Sequence, residues 1–160
     1  MPEEATLESV TVVEGAPLGD FPVRHLVTTR WADNDMYGHV NNAVYYAYFD
    51  AAINSWIAAH LDVPFEQMEV IGVVAESGCR FLRPLSFPGA VTIGFRIERL
   101  GRSSVRYALG VFEGDAPSDA APASAEAHWV HVYVDRVSGR SCPIPAPLKA
   151  AMAPIAKAIE

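Results

Sequence analysis

The stretch from Ala32 to His60, ADNDMYGHVNN followed by AVYYAYFDAAINSWIAAH, joins a polar loop to an apolar segment and decides the fold. The apolar segment contains no Gly or Pro, and its many alanines are typical of a helix. Asn41 and Asn42 stand directly before it, where a short side-chain oxygen can accept the free amides of a first helical turn. The stretch therefore predicts a long helix over Ala43–His60 that begins where the polar loop ends.

Apolar side chains cover most of the circumference of this predicted helix. They are Val44, Tyr45, Tyr48, Phe49, Ala52, Ile53, Trp56 and Ile57. Only Asp50 and Asn54, four residues apart, mark a polar stripe. A helix that is apolar on nearly every side must be covered on nearly every side, and we expect one curved sheet to cover it.

The rest of the chain supplies the strands of that sheet. Strand-forming residues run over Val23–Trp31 and Val70–Leu82, with Gly78 as a candidate bulge, and a final helix is predicted over Leu148–Ile159. Period-two alternation continues at residues 91–98, 105–111 and 127–134. The order predicts an α+β domain in which a mostly antiparallel sheet surrounds one long central helix.

Length, composition and charge limit the class of protein. The chain has 160 residues, of which 51% are hydrophobic and 19% charged, as in a single globular domain. Residues 1–22 are acidic and rich in Gly and Pro, so we expect an irregular N-terminal arm before one domain at residues 23–160. The net charge of −7 disfavours nucleic-acid and anionic-membrane partners. We find no signal peptide or transmembrane stretch and expect a cytoplasmic protein.

The polar loop Asp33–Asn42 is the densest cluster of chemistry-bearing residues. It leads into a helix N-terminus, whose free amides and partial positive charge can hold an oxyanion. A carboxylate beside such a terminus can act as a nucleophile or as a base on water. Asp, Asn and Gly are also the usual turn residues, and composition alone favours a plain turn.

Metal and nucleotide sites lack the motifs that they need. Asp33, Asp35 and Gly38 match positions one, three and six of a calcium loop. Tyr37 does not fit position five, and Val44 stands at position twelve, where that loop has its bidentate Glu. His128 and His131 are three residues apart on a predicted strand and therefore face opposite sides. Two cysteines outside any CxxC pair make neither a zinc site nor a disulfide scaffold. GxSxG, GxGxxG and GxxxxGK motifs are absent from the sequence.

A contiguous motif gives the strongest functional signal. The run Asp35-x-x-Gly-His-Val-Asn-Asn-x-x-Tyr, within RWADNDMYGHVNNAVYY at residues 30–46, resembles the hotdog-fold acyl-CoA thioesterases of the 4-hydroxybenzoyl-CoA thioesterase-like group. RFLRP at 80–84, GRSS at 101–104 and PIP at 143–145 are similar to later parts of that family. The resemblance covers Val23–Ile159 and implies a hotdog fold, in which an antiparallel sheet wraps around one long central helix.

The resemblance also implies catalytic roles for three residues. Asp35 matches the catalytic aspartate of the family, which acts as a nucleophile or as a general base. The backbone amide of Asn42 matches the oxyanion donor at the helix N-terminus. His39 belongs to the same motif, and we expect it chiefly to shape the loop. The implied activity is hydrolysis of an acyl-CoA thioester to a free acid and CoA.

Substrate binding and assembly follow from the same resemblance. Arg102, Ser103 and Arg83 fall where relatives meet the phosphates of CoA. From the residues alone, arginines and hydroxyls suit phosphate groups, but an ordinary solvated hairpin turn is the better explanation of the first two. Tyr45 is a candidate for the wall of the acyl pocket. Members of the family place the site at a dimer interface and use no metal or redox cofactor, so we expect a homodimer or homotetramer that takes acyl-CoA without a cofactor.

Two alternatives to this activity stay open at the level of sequence. The acyl group could arrive on acyl carrier protein, for which Arg80, Arg83, Arg99 and Arg102 would form a basic docking patch. The chain could also be a hotdog protein that binds acyl-CoA without turnover, although a pure binder has no use for Asp35. The sequence does not select the acyl group.

Overall fold

A computed structural model describes residues 13–157 and gives the bounds of seven main elements in them. The strands are β1 (Val23–Thr28), β2 (Val70–Phe81), β3 (Ala90–Leu100), β4 (Ser104–Glu113) and β5 (Ala125–Asp135). The helices are α1 (Asn42–Ala59) and α2 (Ala146–Met152). The first 12 residues of the predicted N-terminal arm, the last two of the predicted final helix (158–159) and residue 160 lie outside the described part.

One antiparallel sheet forms the body of the fold. Its strand order is β1-β3-β4-β5-β2, and each neighbouring pair is antiparallel. The long helix α1 packs on one face of this sheet, and the buried side chains of β3, β4 and β5 meet it in one apolar core. The predicted α+β hotdog architecture, an antiparallel sheet around one long helix, is confirmed.

Within one chain, the sheet packs against only one side of α1. The sequence predicts instead that the sheet covers this helix on nearly every side. The buried residues of the helix are Tyr45, Tyr48, Phe49, Ala52, Ile53 and Ile57. On the opposite side, Ala43, Ala47, Ala51 and Ala58 are exposed. The free-energy cost of exposing this face to water is small, because each alanine side chain exposes little apolar area.

The bulge in β2 is not at Gly78 as predicted. The register of β2 against β5 shifts between Val74 and Glu76, so the extra residue is Ala75. Gly78 has another reason to be a glycine: a Cβ built there would lie 2.5 Å from Cε1 of His128. The residue makes room for a ring on the neighbouring strand.

The ends of the described chain pack against the sheet. Leu18 and Phe21 are buried on the outer face, next to Ala108 and Phe112. The final helix is shorter than predicted, because α2 ends at Met152 and a 3-10 turn containing Pro154 follows it. Within residues 13–157, no helix combines the length and apolar character needed to cross a bilayer.

Candidate functional site

An open pocket of about 340 Å³ lies at the N-terminal end of α1. The sequence-predicted residues Asp35, His39, Asn42, Tyr45 and Arg83 all line it. They come from three places: the loop before the helix, the first turns of the helix, and the segment after β2. The structure thus brings five of the seven predicted site residues together.

The loop that carries Asp35 is a closed and well-bonded turn. The Asp35 N–H donates to the carbonyl of His39 (2.9 Å), and the Gly38 N–H donates to the carbonyl of Asp35 (3.1 Å). Gly38 has φ of +83°, a left-handed conformation that glycine adopts without strain. The Ser86 hydroxyl donates to the Gly38 carbonyl (2.9 Å) and ties the tip of the loop to the segment after β2.

One oxygen of the Asp35 carboxylate is hydrogen-bonded within the turn, and the other has no partner in the described chain. Its Oδ1 accepts the backbone N–H of Tyr37 at 2.9 Å, which is a typical Asx turn. Its Oδ2 has no hydrogen-bond partner among residues 13–157. The turn interpretation and the functional one are therefore compatible, because the bond to Tyr37 occupies one oxygen of a carboxylate that lines the pocket and leaves the second oxygen unbonded within residues 13–157.

At the start of α1, Asn42 lines the same pocket and carries a backbone donor without an acceptor in the described chain. Asn41 is the N-cap, and its side chain accepts the N–H of Ala43 at 2.9 Å. The carbonyl of Asn41 accepts the N–H of Val44. Within the described residues, the Asn42 N–H has no acceptor. A free amide at the positive end of an 18-residue helix is suited to bind an oxyanion.

The pocket wall next to this amide is apolar and aromatic. The rings of Tyr45 and Phe81 meet edge to face with centroids 5.0 Å apart. Burial raises the pKa of the Tyr45 hydroxyl. Burial also raises the pKa of the neighbouring Cys79 thiol to about 12, so this thiol is protonated at neutral pH and is a poor nucleophile.

His39 and Arg83 stand at the mouth of the pocket. Both side chains are exposed. The carbonyl of His39 closes the Asp35 turn, as the sequence predicts for a residue that shapes the loop. The guanidinium of Arg83 lies 3.3 Å from the carbonyl of Pro122 and 3.4 Å from that of Ala123, which leaves most of its donors to solvent.

Arg102 and Ser103 are not part of this pocket within one chain. They form the turn between β3 and β4, where the carbonyl of Arg102 accepts the Ile144 N–H (2.9 Å) and that of Ser103 accepts the Tyr133 N–H (2.7 Å). The Asp35 loop lies at the opposite end of β3, whose 11 residues span roughly 35 Å at 3.3 Å per residue. Only a second chain could bring such a turn to the pocket.

A buried carboxylate two residues before Asp35 supports the loop. Asp33 is fully buried, and its Oδ1 accepts Nε (3.0 Å) and Nη2 (2.8 Å) of Arg30. Its Oδ2 accepts the Arg30 N–H (2.8 Å) and the Tyr48 hydroxyl (2.6 Å). Burial acts to raise the pKa of this carboxyl, but the hydrogen bonds from Tyr48 and Arg30 outweigh it and lower the pKa overall.

This environment makes Asp33 a structural anion rather than a metal ligand. Both of its oxygens accept hydrogen bonds from Arg30 and Tyr48, so the carboxylate is not available as the first ligand of a calcium loop. Among residues 13–157, no cluster of three or more His, Cys, Asp or Glu is arranged to hold a metal ion.

Comparison with known proteins identifies the family of this chain. A sequence profile of the thioesterase-like superfamily matches residues 29–152, which is more than half of the chain. No curated protein is significantly similar to it.

Solved structures are similar over most of the chain. The PA5185 protein from Pseudomonas aeruginosa strain PAO1 is 36% identical, with a TM-score of 0.84, over 92% of this chain and 100% of that one. A thioesterase from Thermus thermophilus, complexed with coenzyme A and Zn, is 32% identical, with a TM-score of 0.68, over 83% of this chain and 98% of that one. The 1,4-dihydroxy-2-naphthoyl-CoA thioesterase Slr0204 from Synechocystis is 16% identical, with a TM-score of 0.70, over 81% and 94%, and shows the fold alone.

Proposed function

Because this chain belongs to the thioesterase-like superfamily and is a thioester hydrolase, we propose that it hydrolyses acyl-CoA to a free acid and CoA with Asp35 as the catalytic carboxylate. One observation carries the proposal: Asp35, whose Oδ2 has no hydrogen-bond partner among residues 13–157, and Asn42, whose backbone N–H has none there either, line the same pocket. The bound coenzyme A in the Thermus thermophilus thioesterase supports CoA as the thiol carrier.

The proposed chemistry divides between the amide and the carboxylate. The carbonyl oxygen of the thioester accepts the Asn42 N–H, and the helix N-terminus stabilises the negative charge that develops on this oxygen. The free oxygen of Asp35 then either attacks the carbonyl carbon or removes a proton from a water that attacks it. In the first route a mixed anhydride forms, CoA leaves as thiolate, and water hydrolyses the anhydride. In the second route water adds directly and CoA leaves.

The other pocket residues are assigned to binding. Tyr45, with Phe81 beside it, offers an apolar aromatic surface to the acyl group. Arg83 is exposed at the mouth and offers a cation to the phosphates of CoA. His39 holds the Asp35 turn through its backbone, so we give it no step in the chemistry.

We further propose that the enzyme works as a homodimer or as a tetramer built from such dimers. β2 is an edge strand of the sheet, and its Val73 and Val74 are 40% and 47% exposed. The alanine face of α1 is also uncovered in one chain. An exposed apolar edge strand favours pairing with a second strand. A second chain would also supply the missing Arg102 and Ser103.

The primary test of the activity is release of free thiol from a panel of acyl-CoAs. The panel covers acyl chain lengths and aromatic acyl groups, and the same acyl groups are offered on acyl carrier protein. We expect turnover of acyl-CoA with the higher kcat/KM. A higher kcat/KM for the acyl-carrier-protein substrates would show that acyl carrier protein, and not CoA, is the thiol carrier. Tight binding of CoA with no thiol release from either kind of substrate would contradict the proposal.

If the dimer forms through β2, a charge introduced on this edge strand should weaken it. In solution, light scattering should give about twice the 17.3 kDa of the chain for the dimer, or about four times that mass for the tetramer. Val74→Lys should weaken the dimer at least tenfold, because it puts a charge into the apolar contact. Val137→Lys, at a position that is 96% exposed in the turn after β5, is the matched control and should leave the mass unchanged. A wild-type mass of one chain would overturn the dimer.

A further inference from the structure

The Asp33 carboxylate is the most completely bonded side chain of the described site. Four donors converge on its two oxygens, three from Arg30 and one from Tyr48. None of the polar groups that line the pocket is among them. Burying a charge costs free energy unless it is fully paired. A turn alone does not require such an arrangement, since an exposed Asn or Ser would serve equally well.

The connections of Asp33 lead to both halves of the proposed catalytic pair. Along the chain, Asp33 lies two residues before Asp35. Through its carbonyl, which accepts the Asn41 N–H at 2.8 Å, it is bonded to the residue that precedes Asn42. Through its carboxylate it is bonded to Tyr48, about two turns into α1. The position of the loop is thereby tied to the position of the helix.

The hydroxyl of Tyr48 is the part of this arrangement that is fixed from inside the protein. The residue is only 6% exposed and belongs to the apolar core, so the ring holds its hydroxyl in place. Its bond to Asp33 is short at 2.6 Å, as is usual for a hydroxyl on a carboxylate. The Arg30 side chain, by contrast, is 72% exposed and approaches Asp33 from the solvent side.

We propose that Asp33 and Tyr48 are positioning residues for thioester hydrolysis: the Tyr48 hydroxyl, acting through the buried Asp33 carboxylate, fixes the Asp35 carboxylate relative to the Asn42 amide. This inference rests on the proposed function, because it assigns no chemistry to Asp33 or Tyr48 themselves. Reaction rates depend steeply on such placement, and an error of about 1 Å can cost on the order of 100-fold in rate.

Removal of one oxygen atom tests the inference. Tyr48→Phe keeps the ring in the core and deletes the bond to Asp33. We expect kcat for the best acyl-CoA to fall about tenfold or more, with KM within about twofold, because placement and not substrate binding is lost. Tyr46→Phe is the matched control on the same helix. The Tyr46 hydroxyl has no hydrogen-bond partner among residues 13–157, so kcat should not change.

A double-mutant cycle separates positioning from general stability. If Tyr48 acts by placing Asp35, Tyr48→Phe should cost little further rate in a chain that already carries Asp35→Asn. An equal fold-loss in both backgrounds would overturn the inference, as would a wild-type kcat for Tyr48→Phe. If Tyr48→Phe does not fold, Arg30→Gln removes two side-chain bonds to the same carboxylate and should show the same non-additivity; additive losses there would overturn the inference equally.

The two proposals fail in distinguishable ways. A wild-type rate for Asp35→Asn would overturn the proposed function whatever Tyr48→Phe does. A large loss for Asp35→Asn together with an unchanged kcat for Tyr48→Phe would leave the proposed function standing and remove only the positioning role.

Discussion

Asp35→Asn should lower kcat for acyl-CoA hydrolysis by about 10²- to 10⁴-fold, the range typical of a lost general base. The Asn oxygen can still accept the Tyr37 N–H, so the turn keeps its shape. The amide, however, can neither attack a carbonyl carbon nor take a proton from water. A residual rate should persist, because the Asn42 N–H still stabilises the oxyanion. Initial rates of thiol release, measured beside thermal unfolding, check both parts of this prediction.

Matched substitutions separate the role of Asp35 from an effect of charge. Asp62→Asn removes one negative charge at an exposed site beyond the end of α1, and it should leave kcat unchanged. Asp35→Ala should be at least as damaging as Asp35→Asn, because it also deletes the acceptor for the Tyr37 N–H. If both Asp35 variants fold and hydrolyse at the wild-type rate, the catalytic assignment is wrong.

The fold could be predicted because its signals are local. The apolar periods of α1 and of the strands are written in consecutive residues, and they place each element within a few positions. The bulge was misplaced because a glycine in a strand is ambiguous: Gly78 accommodates the His128 ring, and the register shifts at Ala75 instead. The exposed side of α1 could not be foreseen because alanine is compatible with burial and with exposure.

Most of the predicted residues that line the pocket lie in one contiguous motif, and Arg83 joins them from the RFLRP segment at 80–84. Asp35, Asn42 and Tyr45 belong to one motif, and the structure places them around one pocket. Arg102 follows β3 at its far end, a separation that depends on strand direction and not on any local pattern. The role of Asp33 was missed because Asp is a common turn residue and Tyr48 has the pattern of a core residue. Only the folded chain shows that the two are bonded.

The two histidines of β5 lie on opposite faces of the sheet and differ in burial. His128 and His131 were predicted to face opposite sides of the sheet, and they do: His128 is partly exposed, whereas His131 is 2% exposed. The His131 Nε2 accepts the indole N–H of Trp129 at 3.2 Å, which places the proton of the neutral ring on Nδ1. Tyr107 and Tyr133 are its aromatic neighbours.

Acid should therefore destabilise the protein through His131. Burial lowers the pKa of this imidazole to about 4 from its ordinary 6.5, although the charge of Asp50 opposes the shift. Below pH 6.5 the His131 imidazole of the unfolded chain therefore binds a proton, whereas the same imidazole in the folded protein stays neutral down to about pH 4. The contribution of His131 to stability is complete above pH 6.5 and is lost as the pH falls. We expect the free energy of unfolding to drop by about 2 kcal/mol between pH 6.5 and 4.5.

Denaturant unfolding at several pH values, for the wild type and for two variants, measures this loss. In His131→Gln, the side-chain oxygen can still accept the Trp129 N–H, but nothing titrates; its stability should be lower at pH 7 and nearly flat between pH 6.5 and 4.5. His60→Gln removes an exposed histidine and should keep the wild-type slope. The pKa of the Asp33 carboxyl is lowered from an ordinary 3.8, so its contribution is lost only below about pH 4 and stays outside this window. A wild-type slope in His131→Gln would show that the buried imidazole does not cause the acid sensitivity.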